Sequence, residues 1–200
     1  MIAIIDYGAG NLFSVCNALD ALEAAHTVTS DPDLLRQADG LILPGVGAFP
    51  DAMRRLTETG LVPVIRGLAG QKPFLGICLG MQLLFEKGYE FEEVQGLGLL
   101  PGIVRPIHAP GCKIPHMGWN DLSILHPCPL TEGLHEGSYV YFVHSYCAET
   151  DEKYISCSTL YGERIPALVC KGNIYGAQFH PEKSGEEGLA ILSQFVRLCE

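Results

Sequence analysis

The chain has no Cys-x-x-Cys pair and no His-x-x-x-His pair, so the short ligand spacings typical of zinc sites are missing. Cys112 and His116 stand four apart, but Pro115 lies between them and argues against a shared helical face, so no metal is expected. Basic residues are scarce: 13 Lys and Arg against 23 Asp and Glu leave a net charge of −10, with no basic run. That balance excludes nucleic acid as the main partner. Apolar stretches are broken by Gly, Pro or a charge well short of the roughly 20 residues a membrane span needs. The opening "MIAIIDYG" enters a strand directly, with neither a basic leader nor a cleavage site. The eight cysteines are scattered, and without a secretion signal they read as reduced thiols of a cytoplasmic protein. No repeat, low-complexity tract or linker divides the 200 residues, so they are expected to form one domain.

What remains is a 48% apolar chain with 23 glycines, a composition for a compact fold with many tight turns. Its first half alternates strand and helix: strand runs at Ile2–Asp6, Thr27–Thr29, Gly40–Leu43 and Lys72–Ile77, and helical stretches at Asn11–Ala25, Asp51–Leu56, Leu61–Leu68 and Leu79–Glu86. Such alternation predicts an α/β fold, an open, mainly parallel central sheet with helices on both faces. After about residue 97 the pattern turns strand-rich, with runs at Ile103–Ile107, Asp121–Leu125, Tyr139–Tyr146, Tyr154–Thr159, Ala167–Cys170 and Ile174–Phe179. A last helix, Gly185–Cys199, is expected to turn Leu189, Leu192 and Phe195 inward, with Ser184 as its N-cap.

Three short segments carry chemistry. In "KPFLGICLGMQLLFE" a strand runs into Gly76-Ile77-Cys78-Leu79-Gly80 and turns at once into a helix. Serine hydrolases build their nucleophile elbow from Gly-x-Ser-x-Gly, because the crowded bend tolerates little but hydrogen at its flanks. Cys78 in that place reads as a nucleophile or as a buried structural cysteine. Free amides and the helix dipole favour its thiolate, and the Leu79 N–H would face a developing oxyanion. In "AQFHPEKS", His180 ends a strand and Glu182 follows Pro181; the pair reads as a base with its orienting carboxylate, or as a solvated surface turn. In "LILPGVGAFPDAM" a buried strand opens into Gly45-Val46-Gly47, where glycines allow an N–H to approach a ligand, or simply turn the chain into a helix. "PGVGAF" lacks the Lys and glycine spacing of a phosphate loop, and "DYGAGN" lacks the full dinucleotide pattern, so no cofactor is expected.

The order and spacing of "PGVGAF", "GICLGMQLLFE" and "QFHPEKS" resemble the class I (triad-type) glutamine amidotransferases over essentially the whole chain. "IDYGAGNL" and "PHMGWN" narrow the resemblance to the branch forming the glutaminase subunits of imidazole glycerol phosphate synthase. The resemblance implies Cys78 as nucleophile, His180 as acid/base and Glu182 as its orienter. It further implies Gly45, Val46 and Gly47 as an oxyanion strand cooperating with Leu79. Gln82, His144, Ser145 and Tyr146 match positions that hold L-glutamine. It also implies a heterodimer with a (β/α)8-barrel cyclase subunit that receives ammonia, with Met117, Trp119, Asn120, Tyr141 and Lys183 at or near that interface. Flanked by Gly118 and Asn120, Trp119 is expected on an exposed loop. Related glutaminases serving other synthases, a catalytically silent binding subunit and a cysteine peptidase remain the alternatives at this stage.

Overall fold

The computed structural model describes residues 1–200. The first half alternates as its pattern predicts: β1 (Ile2–Ile5), α1 (Leu12–Ala21), β2 (His26–Thr29), α2 (Pro32–Gln37), β3 (Gly40–Gly45), α3 (Phe49–Glu58), α4 (Leu61–Leu68), β4 (Phe74–Cys78) and α5 (Leu79–Leu83). The second half holds β5 (Lys87–Gly88), β6 (Val94–Gln95), β7 (Ile103–Pro106), β8 (His116–Asp121), β9 (Ser123–Ile124), β10 (Tyr139–His144), β11 (Tyr146–Glu149), β12 (Ile155–Tyr161), β13 (Glu163–Lys171), β14 (Ile174–Ala177) and α6 (Gly185–Leu198).

The main sheet has eight strands in the order β2-β1-β3-β4-β14-β13-β12-β9. From β2 to β14 every pairing is parallel, and from β14 onward every pairing is antiparallel. Side chains alternate across a strand, so Ala3 and Ile5 of β1 enter one core while Ile2 and Ile4 enter the other. Residues from α2 to α5 cover the first face; α1 and α6 cover the second with Val15, Leu19, Ile191, Leu192 and Phe195. Burial on both sides is why these strands read as unbroken apolar runs.

Several expectations are corrected. The helix after Cys78 stops at Leu83, short of the expected Glu86. Residues 96–100 return across its end, and the N–H groups of Leu97, Gly98 and Leu99 donate to the carbonyls of Leu83, Phe85 and Leu84. Those carbonyls thereby find partners outside the helix. Helix α2 went unread because it is only six residues long, although Asp31 caps it and Pro32 opens it. The expected strand Tyr139–Tyr146 breaks at Ser145 into β10, paired with β8, and β11, which belongs to a four-stranded sheet β11-β7-β5-β6. "PHMGWN" lies almost wholly in strand β8, so Trp119 is exposed but not on a loop. Ser184 stands at the N-cap of α6 as expected, but its side chain makes no capping bond: the hydroxyl donates to the His180 carbonyl at 2.6 Å and accepts from the Tyr141 N–H at 3.0 Å.

Candidate active site

Sheet register brings the three motifs together. Strand β4 lies between β3 and β14, with Gly45 opposite Cys78 and Ala177 opposite Ile77. The Gly45–Gly47 segment, the cysteine and His180 therefore leave the carboxyl ends of three adjacent parallel strands, where open α/β sheets gather their ligands.

Cys78 has φ +55° and ψ −111°, an unusual backbone for a side-chain-bearing residue. The bend forces backbone against backbone. A Cβ on Gly80 would sit 1.8 Å from the Leu43 carbonyl oxygen, and one on Gly76 would sit 2.6 Å from that of Gly80. Both flanking glycines are thus sterically required. The thiol is buried, 3.8 Å from the Val143 carbonyl.

His180 Nδ1 is 2.7 Å from Glu182 Oε1, and their side chains are 3% and 1% exposed. The two meet through a 3-10 turn, Pro181–Lys183. Burial works against the charged imidazole, yet the sulfur of Cys78 and the carboxylate of Glu182 outweigh it and raise the His180 pKa to about 9. Nε2 of His180 makes no hydrogen bond of ordinary geometry, which leaves it free for a substrate group.

A cleft of about 400 Å³ opens over the thiol. Val46, Gly47, Cys78, Leu79, Gln82 and His180 line it from the main-sheet side, and Val143 to Tyr146 line it from the strand-rich side. Gln82 Nε2 donates to the Tyr146 carbonyl at 3.0 Å and to Gln178 Oε1 at 3.1 Å, leaving its own carbonyl for a ligand. His144 is buried and neutral, its pKa lowered to about 4 by desolvation.

Glu90 also lines this cleft, and sequence reasoning missed it. Its Oε2 accepts from the Phe49 N–H at 2.7 Å, supplying a cap for α3 that Ala48 cannot. Within "GYEFEE" it is indistinguishable from a solvated acidic run.

Of the expected interface residues, Met117 and Trp119 project outward from β8, 62% and 54% exposed. Tyr141 lies opposite Trp119 on β10, with their rings edge to face at 6.1 Å. Lys183 is exposed on the adjoining turn. Asn120 turns the other way, its amide donating to the Leu160 carbonyl at 3.1 Å. No cluster of three or more His, Cys, Asp or Glu has the arrangement of a metal site.

The family model "Glutamine amidotransferase class-I" matches residues 3–199. "Imidazole glycerol phosphate synthase subunit HisH" of Bacillus thuringiensis (strain Al Hakam) is 53% identical over 201 residues, covering 100% of this chain and 96% of the relative. The protein of the same name from Bacillus anthracis is 52% identical with the same coverage. Among solved structures, one described as a glutamine amidotransferase superposes with a TM-score of 0.77 at 20% identity, covering 100% of this chain and 99% of that one. PurLQS from Thermotoga maritima gives 0.74 at 22% identity, covering 100% and 98%. The fold and the sequence lead to one assignment: the chain belongs to the class-I glutamine amidotransferase family.

Proposed function

We infer that the chain is the glutaminase subunit of an imidazole glycerol phosphate synthase. It hydrolyses L-glutamine to glutamate and ammonia, and the ammonia passes to a cyclase subunit that makes imidazole glycerol phosphate and AICAR. The reading rests above all on the convergence of Cys78, His180 and Gly45–Gly47 at neighbouring strand ends, together with full-length similarity to subunits of that synthase.

In this reading His180 takes up the Cys78 proton as the sulfur attacks the side-chain amide carbon of glutamine. The oxyanion receives the Leu79 N–H and an N–H turned in from the Gly45–Gly47 segment. Protonated His180, steadied by Glu182, gives its Nε2 proton to the departing ammonia. A γ-glutamyl thioester remains. Water then attacks it, His180 takes the water's proton and returns it to the departing sulfur, and glutamate leaves with the thiol restored. Gln82, His144, Ser145 and Tyr146 hold the substrate, and the carboxylate of Glu90 suits its α-ammonium group. The exposed ladder of Met117, Trp119 and Tyr141, with Lys183 beside it, serves as the docking face for a (β/α)8-barrel partner in a heterodimer. Residues 1–200 act as one domain. No helix is long and apolar enough to cross a membrane, and a cytoplasmic location fits this role.

The test is Cys78→Ala in the assembled synthase. Glutamine-dependent product formation should vanish while formation from added ammonia persists. An electrophilic glutamine analogue should label the unaltered chain once, at Cys78. Equal loss of both activities in an intact complex, or labelling elsewhere, overturns the reading.

A further inference from the structure

Strand β8 has two faces. Outward it presents Met117 and Trp119; inward it presents His116 and Asn120. His116 is 2% exposed and lies between two parallel rings, Tyr161 at 4.0 Å and Phe142 at 4.6 Å. Its Nδ1 is 3.0 Å from His144 Nε2, and its Nε2 is 3.3 Å from Asn120 Nδ2. His144 Nδ1 is in turn 2.8 Å from the Tyr146 carbonyl, which also accepts from Gln82. Gln82 continues to Gln178, whose amide nitrogen lies 4.0 Å from the Cys78 sulfur.

The polarity of this chain has one solution. A carbonyl only accepts, so His144 carries its proton on Nδ1. Neutral His144 then accepts at Nε2, so His116 donates from Nδ1. His116 Nε2 must accept, and the Asn120 amide supplies the proton. The amide is itself oriented, because its oxygen accepts from the Asp121 N–H at 3.0 Å. Both rings are neutral near pH 7, since burial holds each pKa down to about 4. The hydrogen bonds thus run in one direction from the docking strand to the substrate-holding wall.

We propose that His116 is a positioning residue for glutamine hydrolysis, fixing the tautomer of His144 so that His144 clamps the Tyr146 carbonyl against Gln82. It does not touch the substrate. It ties the wall of the cleft to the strand whose outer face would carry the partner, so a shift of β8 moves the clamp. The inference rests on the glutaminase reading above.

Two measurements test it. Nitrogen-15 NMR of the full chain, labelled at histidine, should show both His116 and His144 with protonated Nδ1 and bare Nε2. A proton on Nε2 of either ring overturns the proposal. The second compares His116→Phe with His116→Asn in the assembled synthase. Phenylalanine keeps the ring stack but removes both hydrogen bonds; asparagine keeps a donor near the Nδ1 position. Leaving His144 Nε2 unpaired should lower kcat/KM for glutamine about tenfold, mainly through KM because the clamp acts on groups that hold substrate. Synthesis from added ammonia should be unchanged, and His116→Asn should recover part of the loss. Unaltered glutamine kinetics in His116→Phe, or losses in both variants that merely follow their melting temperatures, overturn it. If His116→Phe does not fold, the tautomers and His116→Asn decide. Absence of glutamine hydrolysis in the unaltered complex would instead overturn the functional reading, and the tautomer result would still stand.

Discussion

The two walls of the cleft are held in different ways. On the parallel side, Cys78, Gly45 and His180 are placed by the register of β3, β4 and β14, that is, by backbone hydrogen bonds buried on both faces of a sheet. On the strand-rich side, His144 and Tyr146 stand on two separate small sheets and are joined to each other, to His116 and to Gln82 of α5 by side-chain hydrogen bonds. A backbone frame fails only when the strands themselves are displaced. A side-chain chain shifts when any one member moves, and this one begins on a strand with an exposed apolar face. The first wall suits groups whose chemistry must never vary. The second suits groups whose fit can be altered from outside.

The sharpest way to break this contrast is to disturb the frame. Gly80→Ala places a methyl against the Leu43 carbonyl, and the start of α5 cannot move away from β3 without disturbing the elbow. The expected outcome is a stability loss of roughly 3 kcal/mol or more, read from the denaturation midpoint. A variant with native stability would show that the elbow is looser than the frame implies.

A second effect follows from the charge held on His180. Its folded pKa of about 9 lies above the ordinary 6.5. The stabilisation it contributes is therefore complete below about 6.5 and is lost as pH rises through 9. If the imidazolium is the acid that releases ammonia, kcat/KM for glutamine should fall on the alkaline side with a midpoint near 9. A falling limb near 6.5 would mean that the Cys78–His180–Glu182 cluster does not hold the proton.

A smaller effect belongs to the side-chain wall. Glu90→Gln removes a negative charge from the N-terminus of α3 while keeping an acceptor for the Phe49 N–H. The loss of dipole interaction should cost about 0.3–1 kcal/mol of stability. KM for glutamine should rise if the carboxylate meets the α-ammonium group, and an unchanged KM would confine Glu90 to capping. The smallest effect on catalysis is expected outside the cleft. Cys199 is buried where α6 ends, its thiol donating to the Phe195 carbonyl at 3.1 Å. Cys199→Ala should lower stability by about 1 kcal/mol and leave turnover of the folded enzyme unchanged, as the melting curve and steady-state rate would show.

The same contrast explains what could be read in advance. The frame was legible because strands buried on both faces announce themselves as apolar runs, and because Gly76, Cys78 and Gly80 answer to local sterics. The meeting of His180 with Glu182 followed from their nearness in sequence, and that of Cys78 with His180 from their places at strand ends. Less legible were features fixed by distant partners. The break at Ser145 arises because β10 and β11 pair with different strands, which no local pattern records. The early end of α5 depends on residues 96–100. The inward turn of Asn120 depends on Leu160 and His116, and Glu90 acquires its place only through Phe49.

The position of β14 has a further consequence, one of timing. It is the fifth of eight strands in the main sheet, yet it is the last strand made. During synthesis the flank of β4 that carries Cys78 has no neighbour until residues 174–177 emerge, and His180 follows only three residues later. A nascent or shortened chain ending before Ile174 lacks both His180 and the strand that completes the setting of Cys78. The order of the chain thus withholds the surroundings of the Cys78 thiol until residues 174–180 have emerged.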